Sequence, residues 1–366
     1  MIDRQLKQWI DETPHGASLR FIVGMRESGK TEMLTHLLSL LLARGVPEAN
    51  TLYVDAFDSS IRPFGMGSQI VSYILAALPA EGDVYVFIRE APILPDAEKV
   101  FAALMERKRF HIFASASSRS LFRQCEEMFR LKPADSIEVM PPQGRRFTRD
   151  SARALADAIF MRDVLWPNKI ANVRILPLIG AWLSDNLGDS TSLRIIAAAI
   201  SPEGKLLSPH TVDAYLMALQ DAHLIERSPG FDTLLGEPVA RGARYFFVDP
   251  WLRLAFFGPA PSDEKRRMAL NVAYLNLRAQ AKAVYSCLDD ERVDFVTRVG
   301  RGYEYWKVGK DGVLKQVPDP GRTSPGAAPR TPPGARRPAA APGSGARRPA
   351  AAPGSGEARS MSSPKP

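Results

Sequence analysis

The stretch Phe21–Leu34, FIVGMRESGKTEML, constrains the rest of this chain more than any other. Gly24, Gly29, Lys30 and Thr31 fit G-x-x-x-x-G-K-[ST], the pattern of a P-loop. Glycines let such a loop turn tightly and point its backbone N–H groups inward at phosphate oxygens. Gly24, Met25, Arg26, Glu27, Ser28, Gly29, Lys30 and Thr31 are therefore the candidate cradle for ATP. Lys30 is expected to reach the β and γ phosphates, and the Thr31 hydroxyl to hold Mg²⁺. The loop also opens a helix, whose N-terminal donors and dipole favour anions. Its flanks agree with that role. Leu19–Val23 is an apolar run suited to a buried parallel strand, and Met33, Leu34, Leu37, Leu38 and Leu41 recur at helical spacing until Gly45 and Pro47.

A chain of 366 residues, 45% hydrophobic and 24% charged, allows two or three globular domains. No apolar run approaches the ~20 residues of a membrane span. The segment MIDRQLKQWIDE lacks the apolar core of a signal peptide. Cys125 and Cys287 lie far apart without metal-ligand spacing and read as reduced cytosolic thiols. A cytoplasmic, non-membrane protein is the expectation. The net charge of +8 belongs mostly to the end of the chain, where Arg322, Arg330, Arg336, Arg337, Arg347, Arg348, Arg359 and Lys365 face only Asp319 and Glu357. There GARRPAAAPGSG occurs at Gly334–Gly345 and again at Gly345–Gly356. A Pro/Ala/Gly/Arg composition cannot bury enough apolar surface to offset chain entropy, so residues 316–366 are expected to be disordered.

After the first helix, strands and helices alternate. Thr51–Ala56, Val84–Ile88, Phe110–Ala114 and Ile137–Met140 are strand candidates, and Asp96 stands where it would cap a helix carrying Val100, Phe101, Leu104 and Met105. This alternation predicts an α/β fold, a parallel sheet flanked by helices, with ligands at the carboxyl ends of the strands.

With the P-loop, the strand ending in Asp55, the run VYVFIREAPILPDAEKVFAALMER, the strand end FASASS and the segment FMRDVLWPNKIAN, the chain resembles prokaryotic AAA-like P-loop ATPases fused to a C-terminal winged-helix and nuclease-like module. The resemblance runs from Ile2 to about Val308. It implies an ATPase domain over 1–160, a winged helix over 161–258, a degenerate nuclease-like segment over 259–315 and a tail over 316–366.

Departures from the family's pattern bear on activity. The third strand of that family ends in Asp-Glu, the Asp supporting Mg²⁺ and the Glu positioning the attacking water. Here those positions are Arg89 and Glu90. Glu90 is the candidate general base. At 4 Å, like charges repel by about 4 kcal/mol at an effective dielectric near 20, so an inward Arg89 disfavours Mg²⁺. Arg89 could instead contact phosphate, and Asp55 could supply a metal-binding carboxylate. Ser115, Ser117 and Ser118 fall in the sensor segment of the resemblance, and Arg130 falls where it places an arginine finger, with Phe129 replacing the family's glycine.

Beyond Ile175 the pattern is mainly helical. Ile175, Leu178, Ile179 and Leu183 form one apolar face, and Leu193, Ile196, Ala197 and Ile200 the next. Ser208 and Pro209 signal a helix start, the helix leads into Leu224 and Ile225, and a long loop returns through RYFFVDP, so three helices followed by a two-stranded ribbon are expected, in agreement with the winged helix of the resemblance. His210, Asp213, Gln220 and Asp221 flank the apolar stripe of the Ser208 helix. With no Lys or Arg there, sequence-specific DNA binding is disfavoured against a protein-contact role, and only Arg241 and Arg244 could help. His210 and His223 read as helix-end residues. In the segment from Met268 a helix carrying Val272, Leu275, Leu277, Ala281, Val284 and Tyr285 is expected, and beyond it the resemblance implies a nuclease-like metal site that Asp294 and Lys307 fit, with Tyr305 where its glutamate belongs and Glu304 one residue off. Nuclease activity is not expected. Two functions follow: an ATPase with impaired hydrolysis, or a nucleotide-gated module that presents its winged helix to a protein partner, with a DNA-associated regulator as a third. Oligomeric state is not legible.

Overall fold

The computed structural model describes residues 2–11, 16–168, 170, 172–201 and 207–320. Apart from 316–320, the low-complexity tail lies outside them. The described residues belong to one compact unit.

The first half alternates as the sequence predicts: α1 (Ile2–Asp11), β1 (Ser18–Val23), α2 (Lys30–Ala43), β2 (Thr51–Asp55), α3 (Gly67–Ala77), β3 (Val84–Arg89), α4 (Ala97–Met105), β4 (Phe110–Ala116), α5 (Arg119–Phe129) and β5 (Ser136–Glu138). The strands form one parallel sheet in the order β2-β3-β4-β1-β5. Every residue of β1 and β4 is buried, as expected of central strands covered on both faces. Helices α1 and α2 cover one face through Leu6, Trp9, Leu34 and Leu37. Helices α3, α4 and α5 cover the other through Ile70, Phe101 and Leu121. This order sets the β4 end between the β1 loop and the β3 end, which brings Ser115 and Ser117 within reach of Glu90.

Asp96 does sit at the N-cap position of α4, but its carboxylate does not cap that helix. It accepts from Lys99 at 2.9 Å and faces the Gly67 N–H at 3.5 Å, tying α4 to the start of α3.

The second half opens with α6 (Arg149–Ala158), which runs into a π-helical stretch, Ile159–Leu165, and a last turn, α7 (Trp166–Asn168). Then come α8 (Ile175–Asp185), α9 (Leu193–Ile200) and α10 (Pro209–Asp221). Leu176, not Leu178, joins Ile175, Ile179 and Leu183 in the core, and Leu178 is exposed. Ser208 caps α10 as expected, its Oγ accepting the Thr211 N–H at 3.0 Å.

A hairpin, β6 (Ile225–Asp232) and β7 (Glu237–Phe247), stands where the two-stranded ribbon is expected; it takes up much of the expected long loop, and its register shifts between Pro229 and Gly230. Pro229 and Gly230 interrupt the strand alternation, which is why the pattern did not show how far the first strand runs. Helices α11 (Pro250–Phe257) and α12 (Glu264–Arg278) follow, then β8 (Val284–Cys287), β9 (Phe295–Val299), β10 (Gly302–Val308) and β11 (Leu314–Val317). Val284 and Tyr285, expected to continue a helix, start β8. β11 carries ordered structure past residue 316. The hairpin joins the last four strands in a single sheet, β11-β10-β9-β8-β6-β7, through the parallel β6–β8 pair. The winged-helix and nuclease-like segments of the resemblance thus share one sheet.

Candidate functional site

Backbone geometry at the end of β1 requires its glycines. A Cβ on Gly24 would run into the Val139 carbonyl oxygen and crowd Ser28 Oγ. Gly29 has φ of 102°, where L side chains are strained. Ser28 Oγ is buried without a hydrogen-bond partner, an orphan donor facing the inside of a loop built to receive an anion. These are the features that a bound phosphate satisfies, and the loop fits a nucleotide.

Lys30 is buried at the first turn of α2. Its Nζ donates to the Met25 carbonyl at 2.9 Å and lies 3.6 Å from Glu90 Oε1. Burial lowers its pKa, and Glu90 and Asp163 oppose that. Glu90 follows β3 in the left-handed region at φ 54°, a conformation that costs a non-glycine residue of order 1 kcal/mol or more. β4 holds it there. Ser117 Oγ donates to Glu90 Oε1 at 2.6 Å, and the Glu90 N–H donates to Ser115 Oγ at 3.0 Å. Two of the three sensor-segment serines thus orient the candidate base, while Ser118 caps α5.

Arg89 points into the site. Its Nε donates to Thr31 Oγ1 at 3.2 Å and its Nη1 to Asp55 Oδ2 at 2.6 Å. Asp55 Oδ1 is taken by the Phe57 N–H at 2.9 Å. A guanidinium therefore bridges both expected metal ligands. As arranged, these residues do not fit a metal ion. Among the described residues no group of three or more His, Cys, Asp or Glu side chains is placed to hold one.

Three residues complete the site: Arg26 of the expected cradle, and Asp163 and Phe57, which the sequence did not single out. The Arg26 guanidinium makes a two-pronged pair with buried Asp163, at 2.9 and 2.6 Å. Burial pushes the Asp163 carboxyl up to about 6 against the pull of Arg26. Burial also works against the charge of Arg26, but Asp163 outweighs it and its pKa is raised. Asp163 lies in the π-helical stretch, on one side with Ile159, Phe160 and Val164. A carboxylate on an apolar helical face was the available signal. The third is Phe57, whose ring centroid lies 5.3 Å from the Arg89 guanidinium, 5.8 Å from that of Arg26 and 5.4 Å from that of Arg162.

From the outside, Arg145 donates to the Glu27 carbonyl at 2.9 Å and pairs with Asp249 at the start of α11, while Met25 packs in the core of the second half. Arg130 is not brought to this site. It is exposed at the C-terminal end of α5, and Ser118 at the other end adjoins the site.

Other expected residues are placed elsewhere. Arg244 is no free wing cation: it is mostly buried, and its Nη2 donates to the Cys287 carbonyl at 2.9 Å. Asp294 and Lys307 meet at 3.3 Å, and Tyr305 is buried in the apolar cluster around Phe231. His223, at φ 53° just after α10, is buried with Nδ1 3.1 Å from Glu138 Oε1. Burial lowers its pKa.

The parallel sheet, the loop at the end of β1 and Lys30 define a P-loop NTPase core. Residues 17–145 match the family model described as an AAA domain. An uncharacterized protein of Haemophilus influenzae is 20% identical over 318 residues, covering 76% of this chain and 79% of that protein. Among solved structures, the Walker-type ATPase of Pyrococcus abyssi is similar over 69% of this chain and 94% of its own, with 11% identity and a TM-score of 0.41. Cdc6p from Pyrobaculum aerophilum is similar over 73% of this chain and 92% of its own, with 12% identity and a TM-score of 0.23.

Proposed function

We propose that this protein binds ATP through residues 24–31 and hydrolyses it slowly, with Arg89 supplying the positive charge that a divalent metal supplies in related ATPases. The carrying observation is the Arg89 bridge between Thr31 and Asp55. In this reading the loop N–H groups and Lys30 hold the phosphates, and Glu90, oriented by Ser117, polarises the attacking water. Arg89 neutralises phosphate charge where the sheet ends. A guanidinium is a fixed fork and cannot adopt octahedral coordination around the β and γ oxygens, so it supports binding better than turnover.

The second half is proposed as the responding part. Helices α8, α9 and α10 followed by the β6–β7 hairpin, with Thr191 bridging to Ala243, fit a winged helix. Its neighbours touch the loop through Asp163 and Arg145, so a change in the loop reaches the second half by direct contacts.

Calorimetric ATP titration with Mg²⁺ and with EDTA tests the first part. Binding is expected in both, within about threefold. Loss of one charged hydrogen bond costs about 1.5–3 kcal/mol, so Lys30→Ala is expected to weaken ATP by about 10- to 100-fold. Equal ATP-induced thermal shifts in Lys30→Ala and the parent would remove the loop as the site.

A further inference from the structure

The helix surface of α10 carries no basic residue, yet the fold assembles a basic groove beside it from four other elements. A cavity of about 630 Å³ between α10 and the hairpin is lined by Arg123 of α5, Arg194 of α9, Arg227 of β6 and Arg241 of β7, with Asp213 the acidic residue among its lining. A second cavity, of about 370 Å³, shares Gln220 and Arg227 with the first, so the two abut. It adds Arg119, Arg278 and Lys282, opposed by Glu226.

Some of these cations are already neutralised. Arg123 pairs with Asp221 at 2.7 Å, Arg241 with Asp232 at 2.8 Å, and Arg278 with Glu138 and Glu226 at 3.2 and 3.1 Å. Arg119 pairs with Glu138. Arg194, Arg227 and Lys282 are exposed and have no carboxylate partner among the described residues. Arg227 lies near Tyr245, whose pKa is raised by burial against the smaller, lowering effect of the Arg227 charge. These three free cations stand in the first cavity, at the junction and in the second.

We propose that this track binds the phosphodiester backbone of a single-stranded nucleic acid. A polyanion is what a line of unneutralised cations in a concavity recognises, and guanidinium forks match phosphate oxygens two at a time. A flexible single strand can lay successive phosphates in two abutting concavities, which a stiff duplex does not follow. The track ends at Arg119, two residues after Ser117, which holds Glu90.

The test is fluorescence anisotropy on the full chain with labelled oligothymidylate and oligouridylate, from about 50 to about 200 mM salt. The triple variant Arg194→Gln, Arg227→Gln, Lys282→Gln is expected to keep its melting temperature and bind at least about tenfold more weakly at low salt. Its log–log salt slope should be shallower by about 2, since each single-strand phosphate contact adds about 0.7. A second variant, Arg336→Gln, Arg337→Gln, Arg347→Gln, Arg348→Gln, removes the tail's charge pairs and is expected to retain the difference between parent and groove variant. Preference for one oligonucleotide distinguishes DNA from RNA within the proposal. The proposal is overturned if the parent binds neither oligonucleotide, or if the folded triple variant binds as the parent does. It is also overturned if affinity follows the tail alone, or if a duplex or polyglutamate competes as well as the unlabelled strand.

Discussion

Arg89 Nε donates to Thr31 Oγ1 at 3.2 Å, which places a protein cation on the hydroxyl that a P-loop reserves for its metal. The same guanidinium pairs with Asp55 at 2.6 Å, so one residue of β3 contacts both expected ligands.

Arg89→Asp frees Thr31 and Asp55 together and adds a carboxylate beside them. ATP affinity should then depend on Mg²⁺, falling at least about tenfold on chelation, and turnover should rise in its presence. Calorimetry with and without EDTA, alongside phosphate release, checks both. If parent turnover is already brisk and Arg89→Asp lowers it, Arg89 is a phosphate contact in catalysis, and the reading of a weakened site is wrong.

Glu90 is held by Ser117 and Lys30, so its role separates from theirs by two substitutions. Glu90→Gln keeps the shape and loses the base, and turnover should drop about 10²–10⁴-fold with ATP affinity nearly unchanged. Ser117→Ala leaves the base but frees its orientation, for a drop nearer tenfold. Phosphate-release rates at saturating ATP measure both. Turnover that survives Glu90→Gln would assign the base elsewhere.

Gly24 is the point where the loop and β5 meet. Gly24→Ala drives a methyl into the Val139 carbonyl, and backbone cannot step aside as a flexible side chain can. A cost of about 1–3 kcal/mol is expected, seen as a melting temperature several degrees lower, together with loss of the ATP-induced shift. An unchanged melting temperature would mean that the β1–β5 end has room it does not show here.

Much of the first half was legible because parallel strands buried on both faces read as unbroken apolar runs, and glycine and proline marked their ends. The P-loop was legible for a different reason: its chemistry needs particular residues at fixed spacing. The second half was less so. Pro229 and Gly230 broke the β6 alternation at its bulge, and the short strands after Val284 carried too few residues to show a period. Long-range pairs left no local trace. Nothing near Arg26 in the sequence points to Asp163, and nothing on α10 indicates that α5, α9, β6 and β7 would bring four arginines beside it. The orientation of Arg89 was a matter of fold as well: from sequence it could face metal, phosphate or solvent.

The Arg26–Asp163 pair gives the site a measurable pH signature. Asp163 keeps its proton up to about 6 in the folded chain, because burial penalises its charge more than Arg26 relieves it. Unfolded, it ionises at its ordinary value of 3.8. Between those values the folded state holds the extra proton, so this group's contribution to stability is present below pH 3.8 and is lost as pH rises through about 6. Other carboxylates slope the opposite way. Glu138, held low by His223, Arg119 and Arg278 against the effect of burial, stabilises above its ordinary range and loses that on acidification. A single melting curve against pH therefore mixes the two, and the difference between parent and variant isolates Asp163. Asp163→Asn cannot ionise. The stability of the parent relative to Asp163→Asn should fall as pH rises from about 4 to about 6 and level off above, in chemical denaturation at matched salt. A difference that stays flat, or rises across that window, would show that Arg26 keeps Asp163 ionised throughout and that the pair does not respond to mild acid.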